Sequence, residues 1–187
     1  MGITLEKGSR ISLTKEAGGS LSQIMLGLGW DPVRGWFSGE VDLDANAITF
    51  DTSGAQLDVA YYQHLQAHGG AIQHRGDNLT GRGDGDDEQI LVSLNALPDQ
   101  VQHVVFTIAS YGGHKFNRVA NAFVRVVNQA DGSELCRYNL SDKYKATGMV
   151  MGRLYREDGE WKFTAVGEPA DGRTYKDQIR TVQGQLD

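Results

Sequence analysis

A chain of 187 residues, 40% hydrophobic and 22% charged, has the make-up of one soluble globular domain, and residues 1–187 are read as a single unit. Its formal net charge of −6, with no stripe of Lys and Arg, excludes a nucleic-acid partner, because phosphate backbones demand clustered cations. The apolar runs fall far short of the ~20 residues that cross a bilayer, and MGITLEKGSRISLTK lacks the apolar core of a secretory signal, so a cytoplasmic protein without direct membrane insertion is expected.

Strand signals dominate in chain order. Residues 9–14 place Ile11 and Leu13 on one face; residues 21–30 carry Ile24, Leu26 and Leu28 at period two, with glycines at 27 and 29 between them. Residues 40–50 alternate Val41, Leu43 and Ala45 against Asp42 and Asp44. Residues 89–94, 103–110, 122–128, 134–140, 148–156 and 161–167 read similarly, and the near-continuous apolar run HVVFTIAS suits a central strand. Asp158-Gly159 between two strand-like runs is a type I′ hairpin signal. Near the end, Thr174 suits a helix N-cap, Asp177 stands three residues on, and Tyr175, Ile179 and Val182 share a face. About ten short strands with turn signals between them predict a mainly β fold, an antiparallel β-sandwich of two sheets with a short C-terminal helix. Cys136, the only cysteine, can form no internal disulfide, fits a reducing compartment, and sits in ELCRYNL as a buried, inert thiol.

The chemistry concentrates in GDNLTGRGDGDDE, residues 76–88, where Asp77, Asp84, Asp86, Asp87 and Glu88 are opposed only by Arg82. Glycines at 76, 81, 83 and 85 let the backbone fold tightly enough for carboxylates and carbonyls to converge. The candidate donors are all oxygens, including the Asn78 amide and the carbonyls of Gly83 and Gly85, a set that suits a hard cation taking about 6–8 oxygens. Carboxylates crowded together without a cation would repel one another into protonation. The alternative is a solvated acidic turn. Ca²⁺ is favoured and Mg²⁺ is the runner-up; Zn²⁺ would ask for His and Cys. The segment is no EF-hand, since Leu79, Gly81 and Arg82 stand where that loop needs two oxygen ligands and a glycine. Asp42 and Asp44 share one strand face and are expected either to face solvent or to close onto the acidic segment. Seven converging carboxylates exceed what one Ca²⁺ requires, so two neighbouring Ca²⁺ ions are expected.

The motifs ISLTKE (11–16), GLGWD (27–31), DLDA (42–45), GDNLTG (76–81), GDGDDE (83–88) and LYR…GEWKF (154–163) together resemble the TerD family of bacterial tellurium-resistance and general stress proteins. That resemblance covers nearly the whole chain, and GDNLTGRGDGDDE is its specific part. It implies a calcium-binding β-sandwich with Ca²⁺ held by Asp42, Asp44, Asp77, Asp84, Asp86, Asp87 and Glu88, assisted by Asn78 and loop carbonyls. It also implies partnership with other TerD-domain proteins and with a membrane-embedded TerC-type protein, hence a place at the inner membrane through that partner, and it implies no enzymatic activity. PVRGWFSGE, at 32–40, looks like an insertion.

Other features carry less. Arg82-Gly83-Asp84 spells an adhesion tripeptide that a cytoplasmic protein would not use. His64 and His68 have metal spacing only on a helix. Trp30, Trp36, Trp161, Phe37 and Phe163 read as packing residues. Tellurite itself would be repelled by the acidic cluster, and one cysteine is too few to reduce it. The alternative function is a metal-dependent phosphoester hydrolase built on the clustered aspartates, with Arg75, Arg82 and His74 as the nearby cations.

Overall fold

The computed structural model describes residues 2–32, 42–76, 85–140 and 144–187. In chain order the elements are β1 (Ile3–Leu5), β2 (Arg10–Ser12), α1 (Leu13–Glu16), β3 (Gln23–Pro32), β4 (Asp44–Phe50), β5 (Gln56–Ala60), β6 (Gln66–Ala67), β7 (Ile72–His74), β8 (Glu88–Ser93), β9 (His103–Ala109), β10 (Val119–Asn128), β11 (Glu134–Asn139), β12 (Gly148–Glu157), β13 (Glu160–Pro169) and α2 (Tyr175–Gln183). They form two sheets that do not close on themselves: β1-β11-β10-β3-β8-β7-β6, and β2-β13-β12-β9-β4-β5. The predicted mainly β, two-sheet fold with a short C-terminal helix is the fold observed.

Period two explains how the sheets meet. In β3, Ile24, Leu26, Leu28 and Trp30 are buried between the sheets, while Gly27 and Gly29 lie on the opposite face. Ala45 and Ala47 of β4, Val104, Phe106 and Ile108 of β9, and Val124 and Val126 of β10 join the same core. The second sheet is covered on its other face as well. There Ile48, Phe50, Val59, Val105, Val150 and Val166 pack with Val182, and with Tyr175 and Ile179 of α2. This is why β4 and β9 are buried along nearly their whole length and do not alternate.

The structure departs from the sequence reading in three places. β1 runs parallel to β11, pairing Ile3 with Cys136 and Leu5 with Tyr138, so one rim of an otherwise antiparallel sandwich is parallel. The strand expected over 9–14 ends at Ser12, whose side chain accepts from Lys15 N at 3.2 Å and caps α1, so Leu13 reaches the core from a helical turn. β5, β6 and β7 carry no regular alternation and are added to the sheets by pairing with better-formed neighbours. The hairpin at Asp158-Gly159 is present, with positive φ at both residues (54° and 76°) and Glu157 opposite Glu160. Cys136 is fully buried, and burial pushes its thiol up to about 12.

The start of α2 is held by Asp177, whose Oδ2 accepts from Arg173 N (3.0 Å), Thr174 N (3.0 Å) and Thr174 Oγ1 (3.1 Å). Asp177→Ala is therefore expected to lower stability by about 1 kcal/mol, or ~2–4 °C in Tm, which a thermal melt would register.

Candidate metal centre

β8 begins where the acidic, glycine-rich segment ends. Gly85 adopts a φ of +105°, a conformation that glycine enters at little cost. Asp86, Asp87 and Glu88 then take three different directions. Glu88 points inward, is 1% exposed, and accepts a hydrogen bond from Ala45 N at 2.6 Å, so it links the first turn of β8 to the start of β4 in the other sheet. His74 Nε2 stands 3.5 Å from the same carboxylate. Gly76 N donates to His74 Nδ1 at 3.3 Å, which leaves the ring proton on Nε2, facing Glu88.

Asp87 Oδ2 accepts from Trp30 N at 2.8 Å, and Asp87 N donates to Leu28 O at 2.7 Å, laying the segment along β3. Burial holds the Asp87 carboxyl above its ordinary value, and the neighbouring charges of Asp31 and Asp86 add to the effect, against the lowering by the Trp30 N–H. A cation at this point would push it the other way.

Asp86 lies across the outer face of the first sheet in the fork of Arg125, with Nε to Oδ1 at 2.7 Å and Nη2 to Oδ2 at 2.9 Å. Arg125 also reaches Glu134 at 3.3 Å, and Arg137 binds Glu134 at 2.9 Å while resting over the Phe123 ring. The glycines of β3 make this possible. A Cβ on Gly27 would collide with the Asp86 carboxylate, and one on Gly29 would come within 2.7 Å of the Gly85 carbonyl oxygen. The reading from sequence missed Arg125; its signal was a lone outward cation inside the apolar run FVRVV.

Of the other expected ligands, Asp42 is half-buried and Asp44 is 5% exposed. Asp44 lines a cavity of about 90 Å³ together with Tyr61, Tyr62, Arg173, Tyr175 and Lys176, and at 5% exposed it does not lie on an open solvent face. Asp77, Asn78, Gly83 and Asp84 lie outside the described residues, as do Arg82, Trp36, Phe37 and most of the 32–40 segment. Among the described residues no three His, Cys, Asp or Glu side chains gather closely enough to hold an ion. The described candidates Asp42, Asp44, Asp87 and Glu88 are all carboxylates, donors whose chemistry fits Ca²⁺, and Glu88 is tied to the start of β4 through Ala45 N. The histidines at 64 and 68 are used locally: His64 Nδ1 is 2.7 Å from Val59 O, and His68 Nε2 is 2.9 Å from Thr49 Oγ1. No helix among the described residues is long and apolar enough to cross a membrane.

Comparison with known proteins places this chain in a family. The TerD domain model matches residues 1–175. The chain is 45% identical to the tellurium resistance protein TerZ of Serratia marcescens, covering 94% of each chain. It is 40% identical to the stress response protein SCP2 of Bacillus subtilis (strain 168), covering 96% of this chain and 98% of that one. Two solved structures share the fold: SAV2460, a protein of unknown function (TM-score 0.72, 23% identity, 86% of this chain and 96% of that one), and the telluride-resistance homologue SCO6318 of Streptomyces coelicolor A3(2) (TM-score 0.70, 22% identity, 84% and 95%). These names speak of resistance and stress, and they lend the hydrolase alternative no support. Matched along nearly its whole length, the chain belongs to the TerD family of tellurium-resistance and stress-response proteins.

Proposed function

We propose that the protein is a calcium-dependent, non-catalytic interaction module. Asp42, Asp44, Asp87 and Glu88, with the carbonyl of Gly85 and with Asp77, Asn78, Gly83 and Asp84, would hold Ca²⁺, two ions in all. Asp86 can join them while bound to Arg125, because a carboxylate oxygen has more than one lone pair. The observation that carries this reading is the Glu88–Ala45 hydrogen bond, which brings the two acidic segments of the sequence to one junction between the sheets. Bound Ca²⁺ supplies charge neutralisation there, and the residues themselves orient the segment and fix the surface it forms. Following the family, the partners of that surface are other TerD-domain proteins and a TerC-type membrane protein, with the chain cytoplasmic and peripheral to the inner membrane.

Calorimetric titration of Ca²⁺ into chelator-treated protein tests this directly. Two equivalents are expected to bind, and free Ca²⁺ at a hundredfold excess over Kd is expected to stabilise the fold by ~2.7 kcal/mol, which is roughly 5–10 °C in Tm for a chain of this size. A single equivalent would remove the two-ion arrangement. A melting curve identical with Ca²⁺ and with chelator would remove the reading itself, and a response to Mg²⁺ alone would replace the ion.

A further inference from the structure

The outer face of the second sheet carries a basic cavity far in the sequence from the acidic segment. It has a volume of about 370 Å³ and is lined by Arg10 of β2, His103 of β9, and Arg153, Tyr155 and Arg156 of β12. Arg153 is 3% exposed, yet its Nε and Nη1 have no hydrogen-bond partner; Nη2 donates to Asp187 O at 3.0 Å. Nε of Arg156 and Nδ1 of His103 are also buried without a partner. Three such nitrogens, from Arg153 and His103, therefore stand on the cavity's face of β12 and β9; the Arg156 guanidinium lies on the other face of β12, over Trp161, and pairs with Asp99 at 3.5 Å.

These side chains are held in place. The Arg153 guanidinium lies over the Tyr155 ring at 4.6 Å, and the Tyr155 and His103 rings stack with centroids 6.4 Å apart. Arg156 lies over Trp161 at 4.8 Å and donates to Leu97 O at 3.2 Å. The acidic groups of the lining are Glu157, which is paired with Lys162, and Asp187. Burial, helped by the Arg153 charge, pushes His103 down to about 4, so its ring is neutral near pH 7.

A buried guanidinium with N–H groups unspent is costly unless an acceptor of opposite charge completes it. Planar forks of this kind match the oxygens of an oxyanion, and the two of Arg10 and Arg153 suit more than one negative charge. We propose that this cavity binds a divalent oxyanion, carried either as the phosphate of a small organic ester or as a free inorganic ion of the tellurite kind. The cavity exceeds the size of a bare ion, and the Tyr155–His103 wall offers the remaining room an aromatic surface. The repulsion that argued against tellurite from the sequence does not apply here, because Asp86 and Asp87 belong to the other sheet. The proposal is independent of calcium binding.

The test uses the full chain in a phosphate-free buffer, titrated with inorganic phosphate, phenyl phosphate and tellurite, with binding read by calorimetry and by the His103 ring resonances in NMR. Saturable binding is expected, and His103 is expected to titrate at higher pH when an anion is bound, since negative charge favours the imidazolium. Tighter binding of phenyl phosphate assigns the organic ester; tellurite binding as tightly as phosphate assigns the free ion. Arg153→Met is expected to weaken binding about tenfold or more, the loss associated with a charge-assisted hydrogen bond. Arg10→Ala, at an exposed rim position, checks the same cavity if Arg153→Met does not fold, and is expected to weaken binding by a smaller factor. No saturable binding of any of the three probes overturns the proposal. So does binding that leaves His103 unmoved and is indifferent to the arginine replacements.

Discussion

Glu88→Ala is expected to cost about 3 kcal/mol, roughly 6–12 °C in Tm, and to abolish stabilisation by calcium. Glu88 is 1% exposed, and its carboxylate is the acceptor for Ala45 N at 2.6 Å. Truncation leaves that amide buried without an acceptor, costing about 1–3 kcal/mol. It also opens a void beside Ile90 and His74, both buried, for which a further penalty of the same order applies. Glu88→Gln separates the two roles. The amide keeps the shape and can still accept from Ala45 N, so most of the stability is retained, while the lost charge weakens the hold on a divalent ion. Thermal melts of both variants, with Ca²⁺ and with chelator, read this out. A Glu88→Gln protein whose Ca²⁺ response equals the wild type would take Glu88 out of the donor set.

The second large effect belongs to a residue with no side chain. Gly27→Ala is expected to lower stability by about 1–3 kcal/mol, because its Cβ would occupy the position of the Asp86 carboxylate. The carboxylate must then leave the fork of Arg125, so the tie between the acidic segment and β10 is lost, while the Asp87 bonds to Leu28 and Trp30 of β3 remain. The effect is non-additive. In Asp86→Ala the space is already vacant, so adding Gly27→Ala to that background should cost much less than in the wild type, a coupling that a double-mutant cycle measures. Equal costs in both backgrounds would show that the collision is relieved elsewhere.

Much of this fold was legible in residue order. The alternation of Ile24, Leu26 and Leu28 in β3, the Asp158-Gly159 turn, and the Thr174–Asp177 pair at the start of α2 are local patterns, and local patterns survive into the structure. What stayed hidden is non-local. β1 has three residues, too few to show a period, and its parallel pairing with β11 depends on contacts across most of the chain. β4 looked half-exposed because nothing in its own sequence announces that α2 will cover it. The role of Gly27 follows from Asp86, and the gathering of Arg10, His103 and Arg153 follows from strand order in the second sheet. The acidic segment itself was found by composition. Its described end supplies directions for Asp86, Asp87 and Glu88 that composition does not contain.

Among the described residues the outermost strands of the two sheets are short: β1 has three residues, β6 two, β2 three and β5 five. A long bare margin would offer its amides and carbonyls to any neighbouring chain as a template for polymerisation. Outermost strands this brief give an intruding strand few hydrogen bonds of their own to settle on.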